Sequence, residues 1–158
     1  MDSDWESSAI DRKSTSGCSF SMGSCVISWF RRKQSCVALS TAEAEYVAAC
    51  STSCEAMWIR KLLSNLFDLQ LDATCIYCDN QICVKLSENP VFHDKSKHID
   101  IKYHYIKNMV QRGAVNIQYV AKDEQIDDVL TKTLAKVKFE YFRENLGVLQ
   151  IEVPSKGN

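Results

Sequence analysis

The chain has no excess charge of either sign: 19 basic against 20 acidic side chains leave a net charge of -1 over 158 residues. A general basic field for nucleic acid is therefore excluded, and any such contact must rest on local patches. No apolar run is long enough to span a bilayer and no targeting segment is evident at the N-terminus, so no membrane partner is expected. The eight cysteines lack a secretory signal or a regular framework spacing. They predict an intracellular, reducing setting and free, mostly buried thiols. Cys75 and Cys78 match C-x-x-C, but neither a second pair nor a nearby histidine completes a tetrahedral zinc site. A strand over Thr74 to Cys78 also sends the two side chains to opposite faces. Cys50 and Cys54, four apart on a helix, read as core filler. Internal repeats and low-complexity segments are absent too. What remains is ordinary soluble composition in a length that suits one domain with a sizeable core.

The order of elements follows from periodicity and punctuation. Asp2 to Trp5 reads as the end of a strand. Gly17 to Met22, a Gly23-Ser24 turn and Cys25 to Trp29 read as an antiparallel hairpin, and Arg31-Arg32-Lys33-Gln34 as a basic connection after it. A long helix begins near Ser40 and runs to about Asn65 or Phe67. Thr74 to Cys78 is a short apolar strand, followed by a helix from Asn80 to about Ser87. Pro90 breaks the chain before a helix over roughly Ser96 to Gln111, ended by Gly113. Val115 to Val120 alternates as a strand, and helices near Glu124 to Leu134 and Lys138 to Leu146 precede a polar tail. A hairpin followed by strand-helix alternation predicts a mixed sheet with helices on its faces.

Acidic residues stand at the ends of several of these elements. Glu43 and Glu45 diverge by ~200° on a helix, so they cannot serve one partner. Ser40-Thr-Ala-Glu43 fits a capping box, which gives Glu43 a structural task. Glu45 shares its face with Ala48, Ala49, Thr52 and Ala56, small residues that would let the helix lie close on a sheet. A charge on such a face needs a partner or a metal. Asp79 ends a strand where open α/β sheets bind ligands, although an aspartate there also suits a helix cap. Asp127 and Asp128 open a helix, where one of them serves as a favourable charge. Asp2 and Asp4, two apart on a strand, share a face. Carboxylates gathered at one point raise one another's pKa and are tolerable only around cations, and hard divalent ions such as Mg²⁺ prefer oxygen ligands.

The segments Asp2-Ser3-Asp4-Trp5, Ser40-Thr-Ala-Glu-Ala-Glu45-Tyr46, Tyr77-Cys-Asp79-Asn80-Gln81 and Gln125-Ile-Asp-Asp128-Val-Leu-Thr131 together resemble the ribonuclease H domain of copia-type LTR retrotransposon polyproteins, plant elements above all. The resemblance extends in unbroken order from Asp2 to about Val148. It includes Asp11 to Gly17, Ile27-Ser-Trp29, Val37 to Thr41, Glu55-Ala-Met-Trp58, Asn89 to His93 and Ser96 to His104. In the last acidic block Asp127-Asp128-Val129-Leu130-Thr131-Lys132 aligns with the family's Ala-Asp-Ile-Leu-Thr-Lys. Departures are Glu6-Ser7 for a small pair, Gly23-Ser24-Cys25 for a glycine-richer turn, and Thr133 for proline. Val120 to Glu124 lacks the mobile histidine of cellular ribonucleases H. The family's first strand also starts several residues earlier, so the resemblance marks this chain as N-terminally clipped, with Asp2 weakly fixed.

What the resemblance implies is an α/β, ribonuclease H-like fold over 1–148, with a tail at 149–158. Its sheet would be five-stranded and mixed, the first three strands antiparallel, and flanked by helices. The implied activity is metal-dependent hydrolysis of the RNA strand of RNA–DNA hybrids during reverse transcription. Asp2, Glu45, Asp79 and Asp128 would be the catalytic metal ligands for two Mg²⁺ ions, with Mn²⁺ able to substitute. The implied partners are the hybrid and an upstream reverse transcriptase segment, in a cytoplasmic virus-like particle. The alternative is a non-catalytic remnant that keeps the fold. Arg31, Arg32, Lys33 and Lys97 are candidates for phosphate contact. His93, His98 and His104 are expected to hydrogen-bond between helices, and Trp29, Trp58 and Tyr105 to sit in the core.

Overall fold

A computed structural model describes residues 1–5, 10–88 and 97–148. Its strands are β1 (Asp2–Asp4), β2 (Thr15–Met22), β3 (Cys25–Lys33), β4 (Thr74–Cys78) and β5 (Val115–Tyr119). Its helices are α1 (Thr41–Phe67), α2 (Gln81–Glu88), α3 (Lys97–Gln111), α4 (Asp128–Thr131) and α5 (Lys136–Asn145), with a 3-10 turn at Lys122–Glu124. Among these helices none is long and apolar enough to cross a membrane. Pro90, His93 and the tail 149–158 lie outside the described residues.

The strands are the expected ones, but one continuous mixed sheet does not form. β1, β2 and β3 make an antiparallel sheet, and β4 and β5 a separate parallel pair. The reason is the length of β1. Among the described residues the Met1 amino group reaches across, donating to the Tyr77 carbonyl at 2.8 Å. Beyond it the edges of β2 and β4 flank a cavity of about 400 Å³ lined by Met1, Cys18, Phe20, Thr74, Ile76 and Gln125.

Helix α1 starts where the capping pattern places it. The Ser40 hydroxyl accepts the Glu43 N–H at 3.2 Å, while the Glu43 carboxylate accepts from Leu39 N at 2.8 Å, one residue before the cap. Its small residues Ala44, Ala48, Ala49, Thr52 and Ala56 are buried, and the helix packs on β1, β2, β4 and α3. One contiguous core results, including Cys18, Phe20, Phe30, Tyr46, Ile59, Ile76, Cys78, Ile106, Val115 and Ile117. The Arg60 guanidinium bonds the carbonyls of Leu71 (2.7 Å) and Asp72 and the Thr74 hydroxyl, which fixes where β4 begins. Gly113, at φ +65, ends α3 in the left-handed region that glycine alone adopts without strain.

Several expectations are corrected. Arg31, Arg32 and Lys33 are exposed residues of β3 rather than a connection. Trp29 and Trp58 are exposed, at 65% and 59%. Alternation along β3 puts Phe30 in the core and hence Trp29 on the other face, and on α1 the inward positions are taken by Ala56 and Ile59. Tyr105, as expected, packs against the core. Only Cys18, Cys78 and Cys83 of the eight free thiols are buried, and Cys54 is exposed; Cys50, as expected, packs against the core, and Cys75 and Cys78 do part to opposite sides. The helix expected over Glu124 to Leu134 is a single turn. Buried Gln125 turns its side chain to the Met1 carbonyl (2.7 Å) instead of continuing a helix, and Lys132 leaves helical geometry at φ -116°, ψ 156°.

Candidate metal centre

Three carboxylates from three elements meet at one point. Asp2 on β1, Asp79 just after β4 and Asp128 at the head of α4 each place a ligand atom within 4.8 Å of the other two. Asp2 and Asp128 are almost wholly buried, at 0% and 2% exposure, and Asp79 is half-buried. Glu45, on the sheet-facing side of α1, joins through Asp79: Glu45, Asp79 and the Cys78 thiol form a second group of the same tightness. Asp4 belongs to neither group.

Local structure explains why these four and not their neighbours. Glu43 is occupied at the start of α1, whereas Glu45 lies against β1 and accepts the Ser3 N–H at 2.9 Å. The cap of α2 is Asn80, whose Oδ1 accepts from Ile82 N (3.0 Å) and Cys83 N (3.1 Å). Asp79 is thereby relieved of the capping role that its position suggested. Asp127 points away from the cluster, to the Met1 amino group at 2.6 Å and the Ser19 hydroxyl at 2.5 Å. It makes no side-chain cap bond on α4.

Asp2 is not loosely held. One oxygen accepts from the Thr131 hydroxyl and the other from the Lys132 ammonium at 2.9 Å; the same ammonium reaches Asp128 at 2.8 Å. Thr131 and Lys132 were missed as site residues, although both lie in the Thr-Lys pair that ends the last motif block. The close approach of α4 to β2 depends on Gly17. A Cβ at that position would lie 2.7 Å from Thr131 Cγ2 and 2.9 Å from Leu130 Cβ.

The electrostatics are those of anions withdrawn from water. Burial pushes the Glu45 carboxyl well above the usual range, and the neighbouring Cys78, Asp2 and Asp79 add to the shift. Burial also raises Asp128, with the Lys132 hydrogen bond opposing it. Burial disfavours the Lys132 charge, yet Asp128 and Asp2 together raise its pKa. In metal-free solution the folded chain therefore binds protons at Glu45 and Asp128 more tightly than the unfolded chain does. Stability should fall as pH rises from the ordinary carboxylate range, about 4.5, through the raised values, and level off above them. Denaturant melts in EDTA across that range measure this. Glu45→Gln should flatten the slope; an unchanged slope would assign it to other groups.

The basic candidates are not gathered at the cluster. Arg32 lies over the Phe30 ring (4.4 Å) and 3.8 Å from Glu55, and Lys33 pairs with Asp11 at 3.1 Å. Arg31 is nearer, since it shares a register row with Gly17 and Asp2. Lys97 and His98 open α3, where only their backbones are described.

Known proteins with related sequences cover nearly all of this chain. It is 41% identical over 156 residues, 99% of its length, to the "Retrovirus-related Pol polyprotein from transposon RE2" of Arabidopsis thaliana. The chain is homologous to a segment of plant retrotransposon Pol polyproteins. The RE1 polyprotein of the same plant is 41% identical over 95% of the chain. That of transposon TNT 1-94 of Nicotiana tabacum is 38% identical over 93%. The chain spans only 11%, 10% and 11% of these three Pol polyproteins. No family model matches it, and no solved structure does.

Proposed function

We propose that this segment is a ribonuclease H-type endonuclease that hydrolyses the RNA strand of RNA–DNA hybrids in a retroelement, using two Mg²⁺ ions or Mn²⁺ in their place. The observation that carries this reading is the convergence of Asp2, Asp79 and Asp128 within 4.8 Å. The donors suit the ion: the three are hard oxygen ligands, and a cationic ammonium already bridges two of them. Asp2, Asp79 and Asp128 would hold one cation, with Glu45 and Asp79 reaching a second. Bound there, such ions supply Lewis acidity and an activated water for phosphodiester hydrolysis.

The chain's own residues supply the positioning. Ser3 N–H orients Glu45 and Thr131 orients Asp2. Asp79 belongs to both groups and so links them. Of the basic residues of β3, Arg31 shares the register row of Asp2 and would meet a phosphate of the hybrid. Recognition would depend on backbone shape and 2′-hydroxyls rather than base sequence. An upstream reverse transcriptase segment of the same polyprotein would deliver the hybrid, within a cytoplasmic particle.

The test is cleavage of end-labelled substrates by the purified chain. An RNA–DNA hybrid should be cut in its RNA strand with Mg²⁺ or Mn²⁺ and left whole in EDTA, while duplex DNA stays intact under all conditions. A folded protein that cuts nothing with either metal would be the non-catalytic remnant.

A further inference from the structure

We propose that Lys132 is a resident cation that holds Asp2 and Asp128 together until a divalent ion displaces it, and that it thereby sets the concentration at which metal binds. The inference rests on the metal-centre reading above and concerns how that centre survives without metal. Two buried carboxylates in one small volume repel each other, and water is excluded from relieving the repulsion. The Lys132 ammonium answers it by bridging both, at 2.9 Å from Asp2 Oδ1 and 2.8 Å from Asp128 Oδ1. The second oxygen of Asp2 accepts from Thr131, so without metal each oxygen of this carboxylate has a donor.

A divalent ion ligated by Asp2 and Asp128 would stand beside the oxygens that the ammonium holds, one on each carboxylate. Two cations crowded against the same pair of carboxylates repel each other, which favours the departure of one. Lys132 is built to be the one that yields. Its side chain is 26% exposed, against 0% and 3% for the two carboxylates, and its flexible four-carbon stem can carry the charge outward to water. Lys138 is no equivalent. Its ammonium lies 3.9 Å from Asp128 Oδ2 and pairs also with exposed Asp123.

The measurement is the melting temperature in EDTA together with a calorimetric Mg²⁺ titration of metal-stripped protein. It compares the wild-type chain with Lys132→Met, Lys132→Gln and Lys138→Gln. Both Lys132 variants should melt several degrees lower without metal, bind Mg²⁺ several-fold more tightly, and gain more melting temperature from Mg²⁺ than wild type does. Lys132→Gln keeps a hydrogen-bonding group and serves where Met prevents folding. Unchanged or weaker Mg²⁺ affinity in the Lys132 variants would overturn the proposal, as would an equal gain in Lys138→Gln, which would reduce the effect to net charge. Hydrolysis failing while Mg²⁺ still binds would overturn only the nuclease reading; no Mg²⁺ binding in any of the four proteins would overturn both.

Discussion

Asp79→Asn is expected to lower Mg²⁺-dependent cleavage of a hybrid by more than about 100-fold, since replacing mere outer-shell partners of a metal already costs 10–100-fold. The same change should leave the metal-free fold as stable as before, or more so. Asp79 adds negative charge to a site already short of water, and the cap of α2 belongs to its neighbour. Asn80→Ala gives the opposite pattern. It removes the acceptor for two helix N–H groups and should cost about 1 kcal/mol of stability, while all four carboxylates remain. Melts in EDTA and single-turnover cleavage of both variants separate the two roles. Asp79→Asn cleaving at the wild-type rate, or losing stability as Asn80→Ala does, would remove Asp79 from the metal centre.

Gly17→Ala should damage the centre from a distance. The new methyl would sit at 2.7 and 2.9 Å from side-chain atoms of Thr131 and Leu130, and both neighbours belong to α4, packed on β2. Relief requires α4 to move away, at a cost of about 1–3 kcal/mol for overpacking. The movement reaches both carboxylates, because Asp128 starts α4 and Thr131 holds Asp2. Urea denaturation with and without Mg²⁺ should therefore show a larger loss in its presence, since metal binding is lost along with packing. A neutral result in both buffers would mean that the strand and helix have room to spare.

Much of this was legible in local chemistry. The Ser40 cap, the Gly23 turn, the small-residue face of α1 and the end of α3 at Gly113 each rest on a few adjacent residues, and each stands where the sequence put it. What escaped was decided by partners far along the chain. Asp79 and Asn80 are both good caps, and only the folded geometry assigns the task to Asn80. Lys132 has one partner four residues away, Asp128, and its second 130 residues away. Trp29 and Trp58 have the composition of core residues, but which face of β3 or α1 gets covered is a property of the whole packing. The single sheet was misjudged for a similar reason: strand order gives no measure of how far β1 extends along β4.

The four acidic positions, 2, 45, 79 and 128, belong to four different stretches of chain, and no two of them can be held in place by one element alone. An ion bound among them would act as a clasp on the topology. Detaching β1, α1, the end of β4 or α4 would each release a ligand, so any opening that frees one of these four would have to surrender the metal first. Fluctuations that are local in the metal-free chain would then become global events in the loaded one.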